Sequence, residues 1–261
     1  MMEAATKQYP APSGAPLAKM IAVASGKGGV GKTWFSITFG QALADQGNRV
    51  LLFDGDLGLA NLDVQLGLTP ERDLGGVLAG RYGLGDAVVA LSDNLSVIAG
   101  RSGSGSLAGL SGERLDLVRG ELGRAERHYD RIILDLGAGI EQTVRLMTAM
   151  ANSCLVLTSD EPTAITDAYA FLKLGYLARP TNDFRVVVNM AKSHAQGERT
   201  YATLRKACET FLGKTPRLGG VIRRDEKVRD AIRHQTPLLT RHPNSRAAAD
   251  VERIARDLLA T

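Results

Sequence analysis

One octet of this 261-residue chain, Gly-Lys-Gly-Gly-Val-Gly-Lys-Thr at positions 26–33, restricts the fold more than any other segment. It follows the apolar run at 20–25 and precedes a segment of helical periodicity, so it lies between a strand and a helix. Its glycines at 28, 29 and 31 allow the backbone to turn tightly and bring its N–H groups against phosphate oxygens. The octet therefore predicts a phosphate-binding loop that leads from a strand into the N-terminus of a helix.

The two lysines of the octet have different predicted roles. Lys32 lies where a lysine contacts the β- and γ-phosphates, and Thr33 lies where a hydroxyl binds Mg²⁺. Lys27 exceeds the needs of one site, so we expect its side chain to point outward, toward a nucleotide held by a second subunit. The alternative is a solvated surface charge. Trp34 is expected to pack under the loop. The residues of this segment predicted to line the nucleotide are Gly26, Gly28, Gly29, Val30, Gly31, Lys32, Thr33 and Trp34.

Length and composition favour one large α/β domain. The chain is 44% apolar, which suffices for a substantial core, and we expect residues 1–18 to form a flexible leader before a domain at 19–261. No apolar run approaches the ~20 residues of a membrane span, and nothing at the start resembles a secretory signal. Cys154 and Cys208 stand far apart and predict buried, reduced thiols in a cytoplasmic protein.

Short apolar runs alternate along the chain with longer stretches of helical period. This alternation predicts a mostly parallel, twisted sheet with helices on both faces, which binds ligands at the carboxyl ends of its strands. The segment 100–112, rich in Gly and Ser, is predicted to be a loop. The predicted strands are 20–25, 49–54, 95–99, 130–135, 153–158, 184–189 and 217–222. The predicted helices are 33–46, 111–127, 140–150, 162–177, 197–212, 225–234 and 243–260.

Polar side chains follow several of the predicted strands. Asp135 takes the position of a Walker-B carboxylate, which holds Mg²⁺ directly or through water. Asp56, on a turn beyond the second strand, is predicted to orient the attacking water, with an Asx turn as the alternative. Asp54 is predicted to support the metal shell. Asn189 and Asp225 follow later strands, and we expect their side chains to contact the adenine base.

The charge of the chain is unevenly distributed. Between Lys214 and Arg246 there are nine Lys/Arg and three Asp/Glu, a local charge of +6, whereas the whole chain has a net charge of +4. Such a segment is typical of proteins that contact nucleic acid, an anionic membrane surface or an acidic partner. A solvated helical face with its loops is an equally open interpretation.

Several segments together resemble one family. The loop at 27–33 resembles the deviant Walker A motif of the MinD/ParA ATPases. The segment 54–63, Asp-Gly-Asp-Leu-Gly-Leu-Ala-Asn-Leu-Asp, resembles the MinD branch more than the plasmid-partition branch. The resemblance covers residues 19–260, nearly the whole predicted domain. Further segments that resemble the flagellar-number regulators FlhG, also called FleN, are 100–103, 135–140, 161–169 and 188–191.

The resemblance implies a P-loop ATPase of weak basal activity that binds ATP, ADP and Mg²⁺ and forms an ATP-dependent homodimer. It also implies control of flagellar placement and number through partners such as an FlhF-like GTPase or flagellar switch components. The protein is then cytoplasmic and recruited to the pole or membrane through partners, with peripheral membrane contact. The implied roles are phosphate contact for Lys32, Mg²⁺ contact for Thr33, water positioning for Asp56, a switch segment for Asp135, action in trans for Lys27 and adenine contact for Asn189.

Some features depart from the family pattern. The leader lacks the Asp-Gln-Ala-containing helix of FlhG proteins, and Arg223 stands where a proline often follows the last strand. In place of an amphipathic membrane helix, the last predicted helix has an apolar stripe typical of core packing: Ala247, Val251, Ile254, Ala255 and Leu258.

The alternative function is a ParA-type partition ATPase that binds non-specific DNA through 214–246, against which the segment 58–63, Gly-Leu-Ala-Asn-Leu-Asp, argues. A metal-cluster insertase of the same fold needs paired cysteines, and a tyrosine kinase of this fold needs a tyrosine-rich tail. The sequence has neither feature.

Overall fold

One sheet organises the residues that the computed structural model describes, which are 19–56, 61–100 and 112–260. Its strands are β1 (Lys19–Ser25), β2 (Val50–Gly55), β3 (Val89–Ala90), β4 (Leu95–Ile98), β5 (Arg131–Ala138), β6 (Ser153–Thr158), β7 (Asp183–Ala191) and β8 (Arg217–Arg223). They lie in the order β3-β4-β2-β5-β1-β6-β7-β8, and among these residues every neighbouring pair is parallel except β3 with β4. The strand before the phosphate loop, β1, therefore lies in the interior of the sheet.

Helices cover both faces of the sheet, and each face has its own apolar cluster. The helices are α1 (Lys32–Asp45), α2 (Leu62–Leu66), α3 (Leu74–Leu78), α4 (Gly112–Ala125), α5 (Gln142–Met150), α6 (Pro162–Ala178), α7 (His194–Leu212), α8 (Glu226–Arg233), α9 (Leu238–Arg241) and α10 (Arg246–Leu259). Side chains of α1 and α8–α10 pack on one face, and those of α3–α7 pack on the other. This arrangement confirms the predicted fold class.

All seven strands that the sequence predicts are present, and each predicted helix has a counterpart. The elements that the sequence does not predict are β3, α2, α3, α9 and a 3₁₀ turn at Leu84–Ala87. They comprise two to five residues, too few to repeat a periodic pattern. The predicted leader at 1–18 and nearly all of the predicted loop at 100–112 lie outside the described residues.

The last helix packs into the core, as its stripe predicts. Its apolar residues are buried or packed against the cluster that includes α1: Ala247, Val251, Ile254, Ala255 and Leu258. Cys154 and Cys208 are buried free thiols, which confirms that prediction. Within the described ranges, none of the helices has both the length and the apolar character needed to cross a bilayer.

Gly175 lies in α6 where the helix approaches β7 most closely. A Cβ atom at this position would lie closer than 3.0 Å to the ring of Phe184, which is 1% exposed. Tyr176 and Phe171 hold this ring edge-to-face, with centroids 4.8 and 6.4 Å away. Because the ring cannot move without disturbing both contacts, the site does not accommodate another methyl group.

We expect Gly175→Ala to lower the free energy of unfolding by about 1–3 kcal/mol, because overpacking outweighs the gain in helix propensity. Gly120→Ala is the matched control, since Gly120 is an exposed glycine of α4 with open space around an added Cβ. It should raise the free energy of unfolding by up to about 1 kcal/mol. Urea unfolding followed by circular dichroism measures both changes. Equal effects of the two substitutions would contradict the close α6–β7 packing.

Candidate nucleotide site

A cavity of about 650 Å³ opens at the carboxyl ends of the strands. It lies between the phosphate loop and the segments that follow β2, β5, β7 and β8. A cavity of this size suits a nucleotide. Its lining includes most of the predicted site residues: Gly28, Gly29, Gly31, Lys32, Thr33, Trp34, Asp56, Asn189 and Asp225.

The phosphate loop is held by close contacts at both of its ends. Gly31 caps α1 in the left-handed region with φ 91°, and a Cβ there would lie closer than 3.0 Å to the side chains of Trp34 and Asn189. A Cβ at Gly26 would lie closer than 3.0 Å to the carbonyl of Asp167 on α6. Only glycine fits these two positions, so the loop is fixed against α1, α6 and β7.

Asn189 connects the end of β7 to the phosphate loop. Its Nδ2 donates to the carbonyl oxygen of Val30 at 2.8 Å, and its Oδ1 accepts from the N–H of Met190 at 2.8 Å. The residue is 1% exposed but lines the cavity. The contact with Val30 is a loop-holding role that the sequence does not predict, and adenine contact stays a prediction.

Trp34 separates the cavity from an apolar pocket under the loop. It is 9% exposed and borders both spaces, next to Val228 and Ile232 of α8. The packing predicted for Trp34 is therefore present. As the only tryptophan of the chain, it provides an intrinsic fluorescent probe of this cavity.

Lys32 lies among carboxylates at the start of α1. Burial lowers the pKa of Lys32, and the charges of Asp135 and Asp56 act in the opposite direction. Burial raises the pKa of Asp135 to about 6, although the hydroxyls of Ser36 and Thr33 donate hydrogen bonds to it. A hydroxyl and a carboxylate beside a phosphate-binding lysine are oxygen ligands that Mg²⁺ prefers. Thr33 and Asp135 thus fit the predicted metal site.

Asp54 and Asp56 have different surroundings although they are two residues apart. Asp54 is 1% exposed, and its carboxylate accepts from the N–H groups of Asp56, Asn61 and Leu62 at 3.2 Å each. Burial, together with the charge of Asp135, raises the pKa of Asp54 to about 7. Asp56 instead lines the cavity. Asp54 therefore anchors the backbone on both sides of residues 57–60. The sequence predicts support of the metal shell for Asp54, but it does not predict this anchoring.

Lys27 binds to its own subunit. Its Nζ donates to Glu161 Oε2 at 2.6 Å and to Thr163 Oγ1 at 2.7 Å, at the N-terminus of α6. The hydrogen bond and charge of Lys27 lower the pKa of Glu161. Lys27 is not among the residues that line the cavity beside its own loop, and its side chain is 35% exposed. The predicted outward direction agrees with this placement, but the contact with Glu161 is not predicted.

Two aspartates hold the part of the cavity next to the end of β8. Asp225 lines the cavity, but its carboxylate accepts from the N–H groups of Lys227, Arg246 and Ala247, so it joins the N-termini of α8 and α10. The contact of Asp225 with adenine stays a prediction. Asp250, which the sequence does not predict as a site residue, holds the end of β8.

Asp250 is 1% exposed and accepts from the backbone N–H and the Nε of Arg223 at 2.9 Å each. His194 Nε2 lies 2.8 Å from its Oδ1. A charged residue next to Val251 in the buried stripe of α10 is the sequence signal that identifies such an anchor. Arg223, which departs from the family pattern, is thus fixed by an ion pair at the rim of the cavity.

The basic segment at 214–246 does not form one surface. Arg223, Arg224 and Arg229 line the nucleotide cavity, at the carboxyl ends of the strands. Arg217 lies at the amino end of β8, at the opposite edge of the sheet, and Lys214 donates to the carbonyl of Pro180 nearby. Lys214 and Arg217 are therefore separate from the arginines at the nucleotide cavity, and the DNA-binding alternative stays a prediction.

Comparisons with known proteins agree with these features. The model of the CobQ/CobB/MinD/ParA nucleotide binding domain matches residues 21–238. The chain is 39% identical to the antiactivator FleN of Pseudomonas aeruginosa, covering 91% of this chain and 85% of that protein. It is 31% identical to the flagellum site-determining protein YlxH of Helicobacter pylori, covering 91% and 80% respectively. The MinC:MinD cell division protein complex of Aquifex aeolicus superposes with a TM-score of 0.76 at 27% identity, covering 94% of this chain and 96% of that one.

We expect Asp54→Asn to reduce the pH dependence of stability. The folded protein holds the Asp54 proton more tightly than the unfolded chain, since its pKa is raised from 3.8 to about 7. The free energy of unfolding should therefore fall as pH rises from about 4 to about 7, with a limiting slope of about 1.4 kcal/mol per pH unit for one group. Urea unfolding of the nucleotide-free protein across this range measures the slope.

The slope, rather than absolute stability, is the relevant quantity, because the Asp54→Asn substitution also removes one acceptor oxygen. Asp93→Asn, at an exposed position between β3 and β4, is the matched control and should keep the wild-type slope. An unchanged slope in Asp54→Asn would show that Asp54 is ionised in the folded protein throughout this range.

Proposed function

Because this chain belongs to the CobQ/CobB/MinD/ParA family and is an Mg²⁺-dependent ATPase, we propose that it acts as an ATP-dependent dimerising switch that regulates the placement and number of flagella. The observation that carries the dimerisation step is the position of Lys27. This lysine belongs to the phosphate loop, yet its side chain lies outside the cavity of its own subunit.

Within one subunit, the phosphate loop and four side chains at the cavity act in ATP hydrolysis. Lys32 neutralises the β- and γ-phosphates, and the backbone N–H groups of the loop bind their oxygens. Thr33 and Asp135 hold the Mg²⁺, which supplies positive charge at the same phosphates. Asp56 orients the attacking water from the turn after β2. These roles require no residue from a second subunit and account for binding of ATP and ADP.

Lys27 adds the step that requires two subunits. When two copies close face to face, each Lys27 leaves Glu161 and reaches the phosphates bound by the other copy. A cation from the partner neutralises charge that develops in the transition state, and closure excludes water from the site. Hydrolysis removes the γ-phosphate that the lysine contacts, so the dimer opens. The ATP-bound dimer and the ADP-bound monomer are the two states of the switch.

We expect Lys27→Ala and Asp56→Ala proteins, each inactive alone, to recover ATP hydrolysis when mixed. A mixed dimer contains one complete site, in which Asp56 of one subunit meets Lys27 of the other. Random pairing makes half of the dimers mixed, so activity should reach up to roughly one quarter of the wild-type rate per subunit. Phosphate release measures the rate, and Trp34 fluorescence checks that each variant still binds ATP.

The matched control replaces the Asp56→Ala protein by the double variant Lys27→Ala/Asp56→Ala. This mixture contains no Lys27 and should stay inactive. If the first mixture is also inactive while both variants bind ATP and mixed dimers form on gel filtration, Lys27 acts in its own subunit and the proposed crossing is wrong.

The flagellar role is supported by the relatives. The proteins named antiactivator FleN and flagellum site-determining protein YlxH share 39% and 31% identity with nearly the whole chain. We propose that the ATP-bound dimer contacts flagellar proteins, such as an FlhF-like GTPase or switch components, from a cytoplasmic pool that these partners recruit to the pole or membrane. The identity to these two relatives favours this role over non-specific DNA binding.

Deletion of the gene should change the number or position of flagella per cell, counted by electron microscopy. The wild-type gene should restore the normal count, whereas Lys27→Ala should not, because it supplies no cation to the phosphates bound by its partner. Gly120→Ala serves as a control variant that keeps the site intact. Normal flagella in the deletion strain, together with an ATP-dependent gel shift of DNA that weakens steeply with salt, would favour the partition function instead.

A further inference from the structure

A second cavity, of about 540 Å³, lies at the amino ends of the strands. Lys19 and Arg217, the first residues of β1 and β8, both line it, whereas the nucleotide cavity lies where the same strands end. The two cavities therefore occupy opposite edges of the sheet and share none of their lining residues. None of the predicted nucleotide-binding residues lines this second cavity.

Strand register places two pairs of basic residues of this cavity on one face of the sheet, at different positions along the strands. Lys19 pairs with Arg131 on β5, and Arg185 of β7 pairs with Arg217 on β8. Register partners on parallel strands point to the same face, and neighbouring strands are ~4.8 Å apart. The two pairs are separated by β6, and because Val23 rather than Lys19 is level with Arg185, the second pair lies four residues, or roughly 13 Å, further along the strands.

The basic residues that line this cavity outnumber its carboxylates, so the lining has an excess of positive charge. Arg185 pairs with Asp183 at 2.8 Å, the one carboxylate in the lining. The side chains of Lys19 and Arg217 make no hydrogen bond or ion pair with the described residues. Arg131 Nη1 donates to the carbonyl of Asp130, but its buried Nε has no partner within the described ranges. Unpaired cations at one concave site favour an anionic ligand.

The remaining lining residues suit a ligand that is more than a bare anion. The aromatic rings of Tyr176 and Phe184 and the side chain of Leu258 border the cavity. Asn182 also lines it, is 8% exposed, and has a side-chain carbonyl without a hydrogen-bond partner among the described residues. Buried acceptors normally have a donor, and a sugar hydroxyl is one. Arginine guanidinium groups match phosphate oxygens with two parallel hydrogen bonds.

We propose that this cavity binds a small phosphorylated sugar, with its phosphate held by basic residues of the lining and its hydroxyls toward Asn182 and Asp183. The volume of the cavity lies within the range of small-molecule sites. The ligand binds independently of ATP, because its site lies at the other edge of the sheet. The proposal therefore does not depend on dimerisation or on the flagellar role.

Isothermal titration with ribose 5-phosphate tests this site on full-length protein saturated with ADP, so that the phosphate loop is already filled. We expect saturable binding that weakens as salt increases, and weaker binding of ribose and of inorganic phosphate. Lys19→Gln/Arg217→Gln should weaken binding at least tenfold, while its ADP affinity stays at the wild-type value. Lys173→Gln/Lys206→Gln removes the same charge from exposed positions on α6 and α7 and should bind like wild type.

Circular dichroism checks that both double variants fold, and the single substitution Arg217→Gln, at an exposed strand end, replaces the first if it does not. Absence of saturable ribose 5-phosphate binding by the ADP-saturated wild type would overturn the proposal. So would equal losses in the two double variants. Tighter binding of a short single-stranded DNA that is lost only in the Lys19/Arg217 variant would replace the sugar phosphate by a nucleic-acid backbone and would also overturn it.

Discussion

The close approach of three elements to the phosphate loop is the constraint on which the site depends. The carbonyl of Asp167 on α6 leaves no room for a Cβ at Gly26, and the side chains of Trp34 and Asn189 leave none at Gly31. The loop is therefore fixed at both ends before any ligand binds, and its N–H groups need little reorganisation to meet phosphate oxygens. The same contact with α6 brings Lys27 within reach of the first turn of that helix. Rigid packing of the loop thus sets both the phosphate contacts and the direction of the surplus lysine.

A second dependence links the carboxylates of neighbouring strands. Asp54 and Asp135 are register partners on β2 and β5, so their side chains share one face of the sheet. Burial and the charge of Asp135 both disfavour ionisation of Asp54, whereas backbone N–H groups of Asp56 and Leu62 favour it. Through these hydrogen bonds Asp54, which lies beside Asp135, holds the segment after β2. The position of Asp56 at the cavity therefore depends on a buried carboxylate that faces away from solvent and supports the backbone.

The sequence predicts the sheet and the phosphate loop because each has a local signal: alternating apolar runs for the strands and glycines at fixed spacing for the loop. It assigns different roles to Asp54 and Asp56, but it does not predict that Asp54 is buried and accepts hydrogen bonds from backbone N–H groups on both sides of residues 57–60. Glu161 and Asp250 are not predicted as site residues, because their partners Lys27 and Arg223 are 134 and 27 residues away and meet them only through helix packing. Elements such as α2 and β3 are too short to show a period. The sequence therefore predicts features that have a local signal, but it does not predict contacts between residues of different elements.

The contact between Lys27 and Glu161 suits a residue that changes partners. Both side chains are partly exposed, 35% and 63%, and exposed ion pairs stabilise proteins little because water screens them and two long side chains lose entropy. Releasing Lys27 therefore costs little, and in the proposed dimer a triphosphate shielded from water at the closed interface would attract it more strongly than one exposed carboxylate. Thr163 adds a second acceptor that directs the amine without burying it. The pair thus holds Lys27 near the surface, and under the proposed switch it would leave the larger gain in free energy for the step in which two ATP-bound subunits meet.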